Sequence, residues 1–151
     1  MSSQLIFREA RKEDAGAILD FQIAMAWETE KMKLDRETVT LGIAEVFKNE
    51  HRGQYYIAQN GDQIIGSLLI ITEWSDWRNG EVWWIHSLYV VAEQRGKGVY
   101  RGLYAYIKKA AENSRVRGIR LYVDKTNHLA QGVYRKLGMT DEHYSLFEQM
   151  L

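Results

Sequence analysis

The run Arg95-Gly96-Lys97-Gly98-Val99-Tyr100-Arg101 brings three cations and two glycines into seven consecutive positions. Paired glycines let successive backbone N–H groups turn toward one point, and a helix starting there adds partial positive charge. With Arg95, Lys97 and Arg101 around that point, the pattern suits a phosphate or diphosphate. The same residues also read as a plain glycine turn with solvated charges. Two familiar phosphate loops are excluded. The P-loop spacing occurs nowhere, and a dinucleotide fingerprint needs glycine where Arg101 stands. Asp124 falls where a ribose-binding acid would, but too few residues follow it to complete a doubly wound sheet.

A second pattern interleaves acids with indoles: Trp27-Glu28-Thr29-Glu30 and Glu73-Trp74-Ser75-Asp76-Trp77. Carboxylates beside indoles make a receptacle for a cation. Indoles also build sheet faces and subunit interfaces. The four histidines (His51, His86, His128, His143) have no close ligand spacing and the chain has no cysteine, so no metal site is expected.

The elements that must position these groups follow from periodicity. Gln4 to Arg8 reads as an entry strand. From Lys12 the pattern is helical, with Ala15, Ile18, Leu19, Ile23 and Ala26 at three-and-four spacing. Asp35 suits the N-cap of a second helix carrying Val39, Ile43 and Val46. Gln54 to Gln59 alternates like a strand, Asn60-Gly61 signals a two-residue turn, and Gln63 to Thr72 returns. Asn79-Gly80 precedes a third strand of this antiparallel meander, Glu81 to Val90. After the glycine turn, Val99, Leu103, Ile107 and Ala110 share a helix face that Gly118 closes. Ile119 to Val123 is strand-like, Asn127 opens a helix ending at Gly138, and Tyr144 to Glu148 reads as a last strand. A strand–helix–strand crossover in the second half implies a parallel pairing. The expected architecture is a single α+β domain over residues 1–151 with a mixed, mostly antiparallel sheet.

Composition bounds what such a domain does. The chain has 151 residues, of which 46% are hydrophobic and 26% charged, enough to bury one core. Twenty Lys and Arg against twenty Asp and Glu leave no basic surplus for a nucleic-acid backbone. The N-terminal stretch lacks the charged and apolar regions of a signal peptide, and no apolar run approaches the ~20 residues of a membrane span. A soluble, cytoplasmic protein is the expectation.

Arg95-Gly-Lys-Gly-Val-Tyr resembles the Gln/Arg-x-x-Gly-x-Gly/Ala motif of the GCN5-related N-acetyltransferases. The downstream run Val123-x-x-x-Asn127-x-x-Ala130-x-x-x-Tyr134-x-x-x-Gly138-Met139 is similar to that family's second half-signature. The element order matches over nearly the whole chain, and Thr72 to Val90 looks more loosely like the diamine and thialysine acetyltransferase branch. Tyr100 departs from the motif, which has Gly or Ala there, and its ring must turn away from the phosphates or reshape the turn.

The resemblance implies a three-layer α/β/α fold with a β-α-β cofactor half, and acetyl-CoA as co-substrate. Residues Arg95 to Arg101 would hold its diphosphate, with Asn127 and Ala130 contributing from the second motif. The backbone of Leu88, Tyr89 and Val90 would pair with the pantetheine arm, and the Leu88 amide would stabilise the oxyanion. Tyr134 occupies the position of a general acid for the departing thiolate. His86 stands where the diamine branch carries a Glu, which makes it a candidate base, with Glu28, Glu30, Glu73 and Asp76 as alternatives acting directly or through water; a hydrogen-bonded core histidine is the other reading. In similar enzymes the segments containing Trp27, Glu28, Glu30, Glu73 and Asp76 border the acceptor site. The implied reaction is acetyl transfer from acetyl-CoA to a primary amine of a small molecule: a diamine, polyamine or amino-acid derivative. A protein N-terminal or lysine acetyltransferase and a non-catalytic CoA-binding module are the alternatives. Trp83 and Trp84, adjacent on one strand, must face opposite ways. Aromatic surface left exposed would favour a homodimer.

Overall fold

The computed structural model describes residues 4–151. They form two compact units, one running to Arg120 and the other Leu121–Leu151. The first unit holds strand β1 (Leu5–Glu9), helices α1 (Ala15–Glu30) and α2 (Arg36–Lys48), strands β2 (Gln54–Asn60), β3 (Gln63–Ser75) and β4 (Gly80–Val90), and helix α3 (Val99–Asn113). A short strand β5 (Gly118–Leu121) completes a sheet ordered β1-β2-β3-β4-β5. The first three pairings are antiparallel. The Arg117 N–H donates to the Glu81 carbonyl at 2.8 Å, so β5 starts level with the start of β4 and runs parallel to it.

Alternation along β2 separates the two faces of the sheet. Tyr55 and Ile57 join Ile18 of α1 and Ile43 of α2 in one apolar cluster. Tyr56 points the other way and meets Tyr106 of α3, as Phe7 of β1 also does. The first unit is therefore three-layered: α1 and α2, the sheet, then α3. Val99, Leu103, Ile107 and Ala111 line the buried stripe of α3, with Ala111 taking the place expected of Ala110. Gly102 lets this helix approach the sheet, because a Cβ there would lie 2.1 Å from the Phe7 ring. An ion pair ties the start of the fold together: Arg8 holds Asp14 through contacts of 2.8 and 3.1 Å, and the Arg11 amide donates to the same carboxylate.

Asp35 caps α2 as expected, accepting from the Thr38 amide at 3.0 Å. Several boundaries differ from the sequence reading. Asn60 stays in the ladder opposite Gln63, so the two-residue loop is Gly61-Asp62; a bulge beside Ala58 and Gln59 takes up the extra residue. The next loop spans four residues, Asp76 to Asn79, because Ser75 pairs with Gly80. Helix α3 ends at Asn113, and Gly118 opens β5 instead of closing the helix. In the second unit, helix α4 (His128–Lys136) follows an N-cap in which the Asn127 side chain accepts from the Ala130 amide at 3.1 Å. Gly138, at φ 93°, closes it. Residues 144–148 form no strand; Tyr144, Leu146 and Phe147 are exposed.

Candidate active site

The decisive local feature is an irregularity in β4. From Ser75–Gly80 to Leu69–His86, β3 and β4 stay in register; then the pairing shifts so that Ser67 faces Tyr89. Leu68 is left opposite both Ser87 and Leu88, the two-against-one count of a β-bulge. Ser87 adopts φ 53°, a left-handed conformation uncommon outside glycine.

The bulge inverts which backbone groups face outward. Glu81 turns its carbonyl toward β5, whereas the Val91 N–H donates to Ile65 of β3 at 2.9 Å. These residues are an even number of positions apart, so a regular strand would point both to the same side. Past the bulge, then, Leu88 and Val90 direct their N–H and C=O groups away from β3. With only four residues, β5 runs out near the level of His86, before Leu88 is reached. A strand end with backbone groups turned to a side that its neighbour no longer covers fits the amide groups of a pantetheine arm. It also aims the Leu88 amide outward, away from β3.

The glycine turn follows directly. Gly96 and Gly98 lie at φ 75° and 85°, and open space surrounds the position of a Cβ at each, so backbone conformation alone demands glycine. Gly98 caps α3, whose first ladder bond runs from the Gly102 amide to the Gly98 carbonyl at 2.9 Å. The amides of Val99, Tyr100 and Arg101 therefore have no acceptor within the helix. Lys97 and Arg101 are exposed beside them. This donor set fits a diphosphate.

Arg95 and Tyr100 turn elsewhere. Arg95 Nε donates to the Val90 carbonyl at 2.8 Å, and its Nη2 reaches both oxygens of Glu28 at 3.2 and 3.3 Å. The guanidinium lies 5.2 Å from the centre of the Tyr89 ring. Burial, followed by a hydrogen bond to Glu28 and its charge, pushes the Tyr89 phenol up to about 12. Burial is also the largest cause raising the Tyr100 phenol, which senses both Arg95 and Glu28. Tyr100 thus sits toward the end of α1.

His86 sits directly opposite Leu69, which packs against the cluster beneath α1 and α2, so its imidazole is on that face of the sheet. The Trp84 ring is 6.3 Å from it. Burial lowers the His86 pKa, which keeps the imidazole neutral at pH 7. Ile71 faces Trp84 and Glu73 faces Val82, which puts Glu73 on this face about 13 Å along the strand from His86.

The acceptor-side candidates are not gathered into one cluster. Glu28 goes to Arg95, and Glu73 pairs with Arg120 at 3.2 Å. The Trp27 ring is covered by the Lys31 ammonium at 5.6 Å. Glu30 ends α1, and no ion pair among the described residues engages it or Asp76. Asp76 sits in the loop before β4, about 25 Å along the strand from Leu88 by residue count. That is beyond the reach of a small acceptor held at the bulge, so the hairpin tip, with Trp77 exposed, is set apart from it. Trp83 is buried in the core. In the second unit, Tyr134 lies near the end of α4 and is half-buried.

Sequence reasoning missed Ser87, whose left-handed backbone makes the bulge and which carries no sequence signal for that conformation. It also missed that Glu28 joins Tyr89 and Arg95, because Glu28 lies 67 positions from Arg95. Among the described residues, no group of three or more His, Asp or Glu side chains is arranged to hold a metal, and no helix is long and apolar enough to cross a membrane.

The model of the acetyltransferase (GNAT) family matches residues 15–139, and the chain belongs to that family. Its members use acetyl-CoA to acetylate their substrates. Among solved structures, a possible acetyltransferase from Clostridium difficile 630 is 36% identical, with 97% of each chain covered and a TM-score of 0.90. A predicted acetyltransferase from Clostridium acetobutylicum, solved with acetyl-CoA, is similar in fold at 20% identity and a TM-score of 0.79, covering 97% of this chain and 96% of that one. The aminoglycoside N-acetyltransferase AAC(6')-Iy, solved with CoA, shares the fold at 16% identity and a TM-score of 0.81, covering 99% and 97%. No curated protein matches the sequence.

Proposed function

We propose that this protein transfers the acetyl group of acetyl-CoA to a primary amine of a small molecule, by direct attack while both substrates are bound. The observation that carries the reading is the β4 bulge followed at once by the glycine turn. One stretch of chain offers outward backbone groups at Leu88 and Val90, then converging amides and cations at Gly96 to Arg101. Asn127 and Ala130 belong to the second motif, which the family resemblance also assigns to the cofactor.

The amine nitrogen attacks the thioester carbonyl carbon, and negative charge develops on the oxygen, where the Leu88 amide donates. The C–S bond breaks, and Tyr134 gives its proton to the departing thiolate. An alkyl amine is almost wholly protonated at pH 7, so it loses one proton before attack, to the neutral imidazole of His86 directly or through water, and a second as the amide forms, which restores the Tyr134 phenol through solvent. Glu73, some 13 Å further along the same face, suits the distal ammonium of an extended diamine or polyamine by displacing Arg120. Trp27 and Glu30 supply the aromatic and anionic rim at the end of α1. The protein would act in the cytoplasm, where acetyl-CoA is available; a homodimer fits its exposed aromatic side chains Trp74 and Trp77.

Thiol release from acetyl-CoA across a panel of diamines, polyamines, amino acids and peptides tests this. Release with small primary amines is expected. Release with peptides alone would make the protein a modifier of protein amines, and CoA binding without release would make it a regulatory module.

A further inference from the structure

Glu28 and Arg95 stand 67 positions apart in sequence, yet their ion pair joins three parts of the site. Glu28 is on the last turn of α1. Arg95 opens the glycine turn. The Val90 carbonyl, which takes the Arg95 Nε–H, belongs to the outward-facing end of β4. Two nitrogens of one guanidinium fork are thereby directed at protein groups, and its face lies over Tyr89, the residue between Leu88 and Val90.

We propose that Arg95 and Glu28 form a positioning pair that fixes the bulged end of β4 against α1, and that Arg95 does not serve as a phosphate cation. This deepens the acetyl-transfer reading and rests on it. A guanidinium committed to a carboxylate and a backbone carbonyl has its planar fork used in holding geometry, a task that a point-charge ammonium cannot take over. Lys97 and Arg101 carry the charge that meets the diphosphate. The consequence falls on the acetyl-transfer step: if the strand end drifts, the Leu88 amide loses its aim at the oxyanion, while the diphosphate site is little changed. Glu28 by the same logic acts through Arg95 and does not receive the acceptor's ammonium.

Both side chains are partly solvent-exposed, so their removal leaves the core intact. The variants E28Q, R95Q, R95K and E28Q/R95Q are compared with wild type in steady-state kinetics, in CoA calorimetry and in amide exchange over residues 87–91 of the ligand-free protein. The expected result is a fall in kcat of about tenfold in every variant, with CoA affinity within about twofold of wild type. Exchange should accelerate by the same factor in each, the double variant being no worse than the singles. Three results would overturn the pair: unchanged exchange in all variants, E28Q raising only the KM for the amine, or R95Q weakening CoA binding while R95K restores it. A wild-type protein that takes up no CoA would defeat the acetyl-transfer reading instead, and the exchange measurement would still decide whether the pair holds the strand.

Discussion

Two side chains carry the proton traffic in the proposed reaction, and each makes a separable prediction. Tyr134→Phe removes one hydroxyl and leaves the helix intact. It should lower kcat by about a hundredfold, within the usual range for a general acid, with little effect on CoA affinity; single-turnover kinetics alongside calorimetry check this. His86 is governed by burial, which disfavours the imidazolium and lowers its pKa. The base-competent neutral form therefore persists below the ordinary value of 6.5. The acid limb of the rate profile should be centred below 6.5, where the imidazole takes up its proton. His86→Gln should abolish that falling limb along with most of the activity. A limb centred at or above 6.5 in the wild type, or one retained in His86→Gln, would remove His86 from the mechanism.

Among the elements, what was legible in the sequence and what was not divide on physical lines. The glycine turn could be read because φ values of 75° and 85° are a condition that glycine alone meets cheaply. Helix α2 could be read from Asp35 because capping is a local bond between near neighbours. The bulge at Ser87 could not: its cause is the register between β3 and β4, and serine does not advertise a left-handed backbone. For the same reason the hairpin loop moved by one residue, since a bulge on β3 set the register and the Asn-Gly preference gave way. Tyr144 to Glu148 reads as a strand in the sequence, but a strand also needs a neighbour for its backbone, which no local pattern supplies. The site residues on β4 were legible only through the family motif, while the Glu28–Arg95 contact had no sequence signature. Gly102 gives a test at this scale. A methyl group there collides with the Phe7 ring, so Gly102→Ala should destabilise the fold by about 1–3 kcal/mol despite its better helix propensity. Chemical denaturation measures it; a stabilised variant would mean that α3 does not pack on β1 in this way.

For the molecule as a whole, folding and chemistry draw on different groups. The Asp14 carboxyl is held below its ordinary 3.8, chiefly by its hydrogen bond from Arg8, with burial opposing. A lowered carboxyl pKa contributes stability that is fully present above 3.8 and lost as pH falls through the folded value. Denaturation free energy should therefore be level near neutrality and drop below about pH 4. Asp14→Ala should flatten that drop and cost about 3 kcal/mol at pH 7, because it leaves the largely buried Arg8 without its partner. The most direct measurement is isothermal calorimetry of acetyl-CoA with the wild-type protein, followed by thiol release on adding a diamine. Micromolar uptake, weakened when Lys97 and Arg101 are both replaced by Gln, with thiol released in step with acetylated amine, is the predicted result. Heat indistinguishable from dilution for both acetyl-CoA and CoA, from folded protein, would contradict it.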